Sequence, residues 1–238
     1  MRIIPVMDLM AGQVVRGIAG RRAEYRPLVS PLCGSSAPLE VARAFRGLGF
    51  SEMYLADLDA IAGATPAFPL YSALRDLGLR LLIDAGLRRA GQADSLFAAG
   101  AGRVVAGLET LASLEELEIL CGAFGPRVIF SLDLKHGQPL GAIAGDALSV
   151  AGEALGHGVQ AMLVLDLAQV GVGCGTGTED LCRRLRQAHA SLELLAGGGV
   201  RDASEVQRLG EAGVDGVLVA SALHDGRISP PRRFEDRG

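Results

Sequence analysis

Arg2-Ile-Ile-Pro-Val-Met-Asp8-Leu, at the start of the chain, returns near its middle as Arg127-Val-Ile-Phe-Ser-Leu-Asp133-Leu. The echo continues past these segments. Leu55-Ala-Asp57-Leu pairs with Leu165-Asp166-Leu, Ala85-Gly86-Leu87-Arg88 with Gly198-Gly199-Val200-Arg201, and Ala106-Gly107 with Ala220-Ser221, all in the same order. Each half thus carries an acid and a Gly-rich turn at matched positions, which predicts a twofold site for a ligand with two similar ends.

Working outward, short aliphatic runs recur at Arg2 to Val6, Glu52 to Ala56, Arg80 to Ile83, Arg103 to Ala106, Arg127 to Leu132, Gln160 to Leu165, Leu192 to Ala196 and Gly216 to Ala220. Their nearly unbroken apolar character is that of strands covered on both faces. Between them lie stretches of helical period: Pro38 to Arg46, Gly91 to Ala99, Ser113 to Cys121, Asp146 to Leu155, Glu179 to Ala188 and Asp202 to Glu211. Strand and helix alternating from end to end mean a parallel sheet, and eight such units predict a (β/α)8 TIM barrel over residues 1–238. The repeat divides it into half-barrels at about 1–124 and 125–226, with a polar, frayed tail at 227–238. The Gly-, Pro- and Arg-rich connection from Gly17 to Ser36 reads as a mobile flap able to close over the site. The Gly-rich run from Gly171 to Thr178 reads as a mobile loop, because it lacks the Gly-Lys-Ser/Thr ending of a nucleotide loop.

Composition narrows the function classes. With 238 residues, 49% of them hydrophobic, the chain can bury a full core, yet no segment approaches a membrane span. A net charge of −4 without a dense basic run gives no general attraction to nucleic acid, so neither nucleic acid nor a membrane is expected as partner. The first strand begins almost at Met1, with no room for a signal peptide, and a cytoplasmic protein is expected. Cys33, Cys121, Cys174 and Cys182 form no Cys-x-x-Cys pair and do not cluster with histidines, so reduced thiols, no metal and no cofactor are expected.

In a barrel of this kind, side chains at the carboxyl ends of the strands face the site. Asp8 and Asp133 end the first and fifth strands, diametrically opposed across an eight-strand ring. Two such carboxyls suit proton removal from a carbon paired with proton delivery to an oxygen, as an aldose–ketose rearrangement requires. The alternative is that they cap loop N–H groups or pair with Lys135 and nearby arginines. After the seventh strand, Gly198 and Gly199, with Ala220 and Ser221 after the eighth, form the pattern of a phosphate cup, where glycines admit an anion to main-chain N–H groups. The first-half counterpart, Gly86, Arg88 and Gly107, offers a weaker second cup, since Asp84 adds negative charge and Leu108 has no hydroxyl. Arg16, Asp57 and Asp166 complete the substrate-binding candidates. For Arg16 the alternative is a solvated surface, and for the acids a loop buttress, the role expected of Asp59.

Over nearly the whole chain these motifs resemble the histidine-biosynthesis barrel family, which comprises the phosphoribosylformimino-aminoimidazole-carboxamide ribotide isomerase and its cyclase relative. The resemblance runs through Ile4-Pro-Val-Met-Asp8-Leu, Gly12-Gln-Val-Val-Arg16, Tyr54-Leu-Ala-Asp57-Leu-Asp59, Gly86-Leu-Arg88, Phe130-Ser-Leu-Asp133, Ala196-Gly-Gly-Gly199-Val and Gly213 to Leu223. It implies a bisphosphorylated substrate, Asp8 as general base and Asp133 as general acid in an Amadori rearrangement, and one phosphate in each cup. The chain departs from the isomerase pattern in several places. Leu165-Asp166 replaces Thr followed by an acid, Gln169-Val170-Gly171-Val172 replaces Arg-Asp-Gly-Thr, and Gly107-Leu108 replaces Gly-Thr. The Trp of the loop after the fifth strand is missing from a chain without tryptophan. The flap sequence is more similar to paralogues associated with one-carbon cofactor pathways of the methanopterin and methanofuran type. Three readings follow: the isomerase, a paralogue acting on another phosphorylated substrate, and a non-catalytic phosphate-ligand-binding barrel.

Overall fold

The computed structural model describes residues 1–141 and 143–229. Its barrel strands follow the aliphatic runs: β1 Arg2–Met10, β2 Glu52–Asp57, β3 Arg80–Asp84, β4 Ala101–Gly107, β5 Val128–Lys135, β6 Ala161–Asp166, β7 Glu193–Gly197 and β8 Gly216–Val219. Each pairs in parallel with its successor, and β8 closes onto β1 with Arg2 opposite Gly216 and Pro5 opposite Val219. The chain is therefore a closed (β/α)8 TIM barrel. The helices that link the strands include α1 Pro38–Gly47, α2 Phe68–Asp76, α3 Ala93–Ala98, α4 Leu114–Phe124, α5 Ala147–Gly156, α6 Glu179–Ala188, α7 Ala203–Glu211 and α8 Ser221–His224, and a single helical turn, Leu58–Ile61, directly follows β2. The sequence pattern misses α2, whose buried stripe is only Tyr71 and Leu74, too sparse to show a period. No helix among the described residues is long and apolar enough to cross a membrane.

Strand alternation divides the apolar residues into two cores. Ile4, Tyr54, Leu82, Ile129, Leu163 and Leu195 point inward and fill the barrel. Residues one position along, such as Met53, Leu81, Phe130 and Leu194, point outward and pack with Val41, Phe45, Tyr71 and Leu185 of the helices. Each large side chain so buried stabilises the fold by roughly 1.5–3 kcal/mol. The end of the barrel opposite the loops is closed by charge. Arg2 on β1 meets Glu52 at 3.4 Å and also Glu193 on β7, Arg80 meets Glu52 at 2.8 Å, and Arg103 meets Glu193 at 2.9 Å.

Three connections differ from the sequence reading. The segment after β1 starts as a ribbon, Gln13–Arg16 running antiparallel to β1 and pairing in turn with Arg26–Pro27. The flap then docks across the mouth, where the Ala19 N–H donates to the Val170 carbonyl at 2.7 Å. Gly171, at φ +69°, lies so close that a Cβ would stand 2.0 Å from the Gly17 carbonyl oxygen. Thr176 and Thr178 of the loop after β6 are buried, and buried Glu205 on α7 accepts the Thr176 N–H at 2.7 Å, which anchors a segment expected to be mobile. Ile228 is buried as well, with the N–H groups of Arg227 and Ile228 donating to the Ala222 carbonyl, so the chain stays packed past the expected start of the tail at 227. Residues 230–238 of that tail lie outside the described residues.

Candidate active site

Side chains at the ends of odd-numbered strands enter one cavity at the barrel mouth, and three of them are acids: Asp8 on β1, Asp84 on β3 and Asp133 on β5. No donor among the described residues bonds the Asp8 carboxylate; burial, with the charge of Asp84, pushes its pKa up to about 7. Asp133 is 6% exposed and accepts from Ser131 Oγ at 2.6 Å and the Glu109 N–H at 3.2 Å. Burial raises its pKa to about 7, the Ser131 bond opposing the shift and Asp84 adding to it. Asp84 accepts from Tyr54 Oη at 3.0 Å and the Gly86 N–H at 3.1 Å, and burial raises it to about 6 despite both bonds. Three carboxyls sharing one low-dielectric mouth do not all ionise near neutral pH, so protons stay in the site where chemistry can use them. Glu109 from the loop after β4 and Arg22 from the flap also line the cavity. Tyr25 of the flap lies beside Asp8, and a Cβ on Gly17 would meet Asp8 Oδ2 at 3.0 Å and the Tyr25 ring at 3.6 Å.

At the β7–β8 side of the mouth, Gly198, Gly199, Ala220 and Ser221 line the same cavity. Glycine is required here. Gly198 and Gly199 have φ of +85° and +93°, and a Cβ on either would fall 2.6 Å from the Asp166 carbonyl oxygen or 2.5 Å from that of Gln169. Among the described residues no acceptor takes the N–H of Gly199, Val200 or Ser221. Arg16 reaches this edge from the flap ribbon, donating from Nε to Ser221 Oγ at 3.3 Å and from Nη2 to both Asp225 oxygens at 2.6 Å. Arg227 joins it on Asp225 at 2.8 Å. Below the turn, Glu205 accepts the Arg201 N–H at 2.9 Å and Arg201 Nε at 3.2 Å, fixing the direction in which the glycines present their backbone.

Not every predicted residue comes to the cavity. Gly107 lines it, but a Cβ there would stand 3.0 Å from Asp133 Oδ2, so its missing side chain makes room for that acid. Gly86 and Arg88 do not line it: the Arg88 guanidinium donates to the Gly86 and Ile61 carbonyls, each at 2.9 Å. Asp57 and Asp166, expected to hold substrate, do not line this cavity, and Asp166 lines a neighbouring one instead. Asp57 accepts from the Ala60 N–H at 3.1 Å, the Ala67 N–H at 3.0 Å and Tyr71 Oη at 2.5 Å. Asp166 accepts from the N–H groups of His136 at 3.2 Å, Gly137 at 2.8 Å and Ala168 at 2.9 Å. Both acids tie down the loops that follow them. Asp59 does the same for the Ala11 turn at 2.6 Å, as expected.

Residues 2–229 match the histidine biosynthesis protein family. The chain belongs to that family. Among its relatives, an uncharacterized protein of Methanocaldococcus jannaschii is 29% identical over 228 residues, covering 95% of this chain and 94% of the relative. Two isomerases of an imidazole-4-carboxamide that bears a 5-phosphoribosyl and a 5-phosphoribosylamino group are also similar. The one from Deinococcus radiodurans is 31% identical, covering 98% of both chains. That of Syntrophomonas wolfei is 29% identical, covering 96% of this chain and 95% of its own.

For this member of the histidine biosynthesis family, sequence reasoning passed over Tyr25, Tyr54, Glu109 and Arg227, and took Asp84 only as a charge that weakens the first-half cup. Asp84 had a readable signal, since it ends an odd strand as Asp8 and Asp133 do. Tyr54 follows from it, being the inward residue of β2 whose hydroxyl meets Asp84 at 3.0 Å. Arg22 and Tyr25 enter through the docked flap, the Arg-rich segment read as able to close over the site, but nothing singles out Tyr25 within it.

Proposed function

We propose that the chain is an aldose–ketose isomerase of a phosphorylated, ribosyl-derived substrate, with Asp8 and Asp133 as its acid–base pair. The observation that carries this reading is their placement on opposite strands of one cavity, both with pKa pushed up to about 7. Near neutral pH a state with Asp8 ionised and Asp133 protonated is well populated, as paired acid and base catalysis needs. Protonated Asp133 donates to the sugar ring oxygen as the C1–O bond opens to an iminium. Ionised Asp8 takes the proton from C2, and that electron pair forms the C1–C2 double bond of an enaminol. The C2 hydroxyl proton then returns to Asp133 and the Asp8 proton goes to C1, leaving a ketone at C2 and both carboxyls as they began. The substrate phosphate is assigned to the N–H groups of Gly199, Val200 and Ser221, the Ser221 hydroxyl and Arg16.

The family relatives support the reaction class, and the substrate named for two of them is the first to test. A second reading, a paralogue acting on another phosphorylated substrate, is favoured by the withdrawal of Gly86 and Arg88 from the cavity. The deciding experiment follows exchange of the C2 hydrogen in D2O by NMR, over that ribotide and a panel of aldose phosphates and their N-glycosylamines. The parent should exchange at least one substrate, and Asp8→Asn and Asp133→Asn should each slow it ~100-fold or more. Exchange retained in both variants, or absent from the parent on the whole panel, would overturn the proposal and leave the non-catalytic phosphate-binding reading.

A further inference from the structure

We infer that the site holds one phosphate, at the β7–β8 edge, and that the far end of its ligand carries no anionic group. This rests on reading the cavity as the isomerase site, and it is drawn from comparing the two halves of the chain position by position. The two turns are built alike: the Arg88 N–H donates to Gln92 Oε1 at 2.8 Å, and the Arg201 N–H to Glu205 Oε2 at 2.9 Å. In that register Asp84-Ala85-Gly86 lies on Gly197-Gly198-Gly199. The acid of the first half is a glycine in the second.

That one difference decides what the main chain can bind. The Gly86 N–H is taken by Asp84 Oδ1 at 3.1 Å, whereas no acceptor among the described residues takes the Gly199 N–H. At the neighbouring turn the ladders set Ile83 beside Val104 and Ala196 beside Val217, which brings Leu108, one residue past the sequence match at Gly107, into register with Ser221. The Leu108 N–H donates to the Ser131 carbonyl at 2.9 Å and the Glu109 N–H to Asp133 Oδ2 at 3.2 Å, while among the described residues the Ser221 N–H is open. Buried Leu108 replaces the hydroxyl of Ser221. The cations differ too: the one facing the first-half acid is Arg22 of the flap, whose charge acts on Asp84 itself. Arg16 and Arg227 stand at the second-half turn, whereas Arg88 is held by two backbone carbonyls away from the cavity. A carboxylate of the protein therefore occupies the amide that a second phosphate would use. The cavity wall around it sets the three acids Asp84, Glu109 and Asp133 against the cation of Arg22, a balance that disfavours a dianion.

Calorimetric titration tests this with inorganic phosphate, ribose 5-phosphate and ribulose 1,5-bisphosphate as probes. The parent is expected to bind one inorganic phosphate, and ribose 5-phosphate at least ten-fold more tightly than the bisphosphate. Ser221→Asp should abolish phosphate binding and Arg16→Gln weaken it at least ten-fold, while Arg88→Ala leaves it within two-fold. Circular dichroism checks that each variant is folded, and Arg16→Gln carries the test if Ser221→Asp is not. Two phosphates per chain, a bisphosphate preferred over the monophosphate, or equal losses in Arg88→Ala and Arg16→Gln would overturn the inference. Failure of C2 exchange with a stoichiometry of one would sink the isomerase reading alone; exchange with a stoichiometry of two would sink only this one.

Discussion

Replacing Asp8 with Asn should make the protein more stable at pH 8 while removing its turnover. In the folded chain the Asp8 carboxyl is raised from 3.8 to about 7. Between those values the folded state keeps a proton that the unfolded chain has released, so stability falls as pH rises through the window and levels off above it. About three pKa units at ~1.36 kcal/mol each set a ceiling of ~4 kcal/mol, and water reaching the partly exposed carboxylate reduces the effect to ~1–2 kcal/mol. Asn has the same shape and no charge, so it escapes this penalty. For a chain of this size the gain corresponds to a Tm higher by roughly 2–8 °C at pH 8. Urea unfolding of parent and variant at a series of pH values from about 4.5 to 8 measures the gap directly, with the window taken from the shift that burial and Asp84 impose. It should widen as pH rises and flatten above about 7. A gap independent of pH, or a variant less stable than the parent at pH 8, would refute the placement of Asp8 in a charge-averse site.

Other outcomes follow from the same geometry. With Asp8 and Asp133 both raised to about 7, kcat/KM should trace a narrow bell near neutrality, since protonating the base and ionising the acid each remove activity; a flat profile from about pH 5 to 9 would count against the pair. Asp57→Ala leaves the Ala60 and Ala67 N–H groups and Tyr71 Oη without their acceptor and should cost about 3 kcal/mol in urea unfolding, whereas Tyr71→Phe, which loses one of the three bonds, should cost about 1. Exposed Cys174 should react with a thiol reagent at pH 8 in the folded protein, while Cys121 and Cys182, raised by burial to about 11 and 12, should react only on unfolding, as a timed colorimetric titration would show.

The barrel was legible because strands covered on both faces leave short aliphatic runs that alternate with stretches of helical period, and because those of β1 and β5 repeat each other. The place of Asp8 and Asp133 at the barrel mouth was legible for the same reason. Duplication does not by itself separate roles, because Asp57 and Asp166 are just as well matched between the halves and both accept from N–H groups of the loops that follow them. A repeat marks equivalent positions in the fold; whether the position holds ligand or backbone depends on where the following loop turns. Asp84 shows the converse. Its counterpart is Gly197, so a search for matched features sets it aside, although it shifts both Asp8 and Asp133. Arg22 and Tyr25 lie in the segment read as a flap over the site, but their exact places depend on its docking against Val170 and Gly171, a contact between segments far apart in sequence.

The ionic floor of the barrel bears on what the two halves have become to each other. Arg2, Arg80, Arg103 and Glu52 all come from the first, and Glu193, which joins Arg2 and Arg103, comes from the second. A ring assembled from two copies of the first half would crowd six guanidinium groups against two carboxylates, with no Glu193 between them. At this end the two parts of the chain are not interchangeable: the arginines of the first need Glu193 of the second to neutralise the base of the barrel.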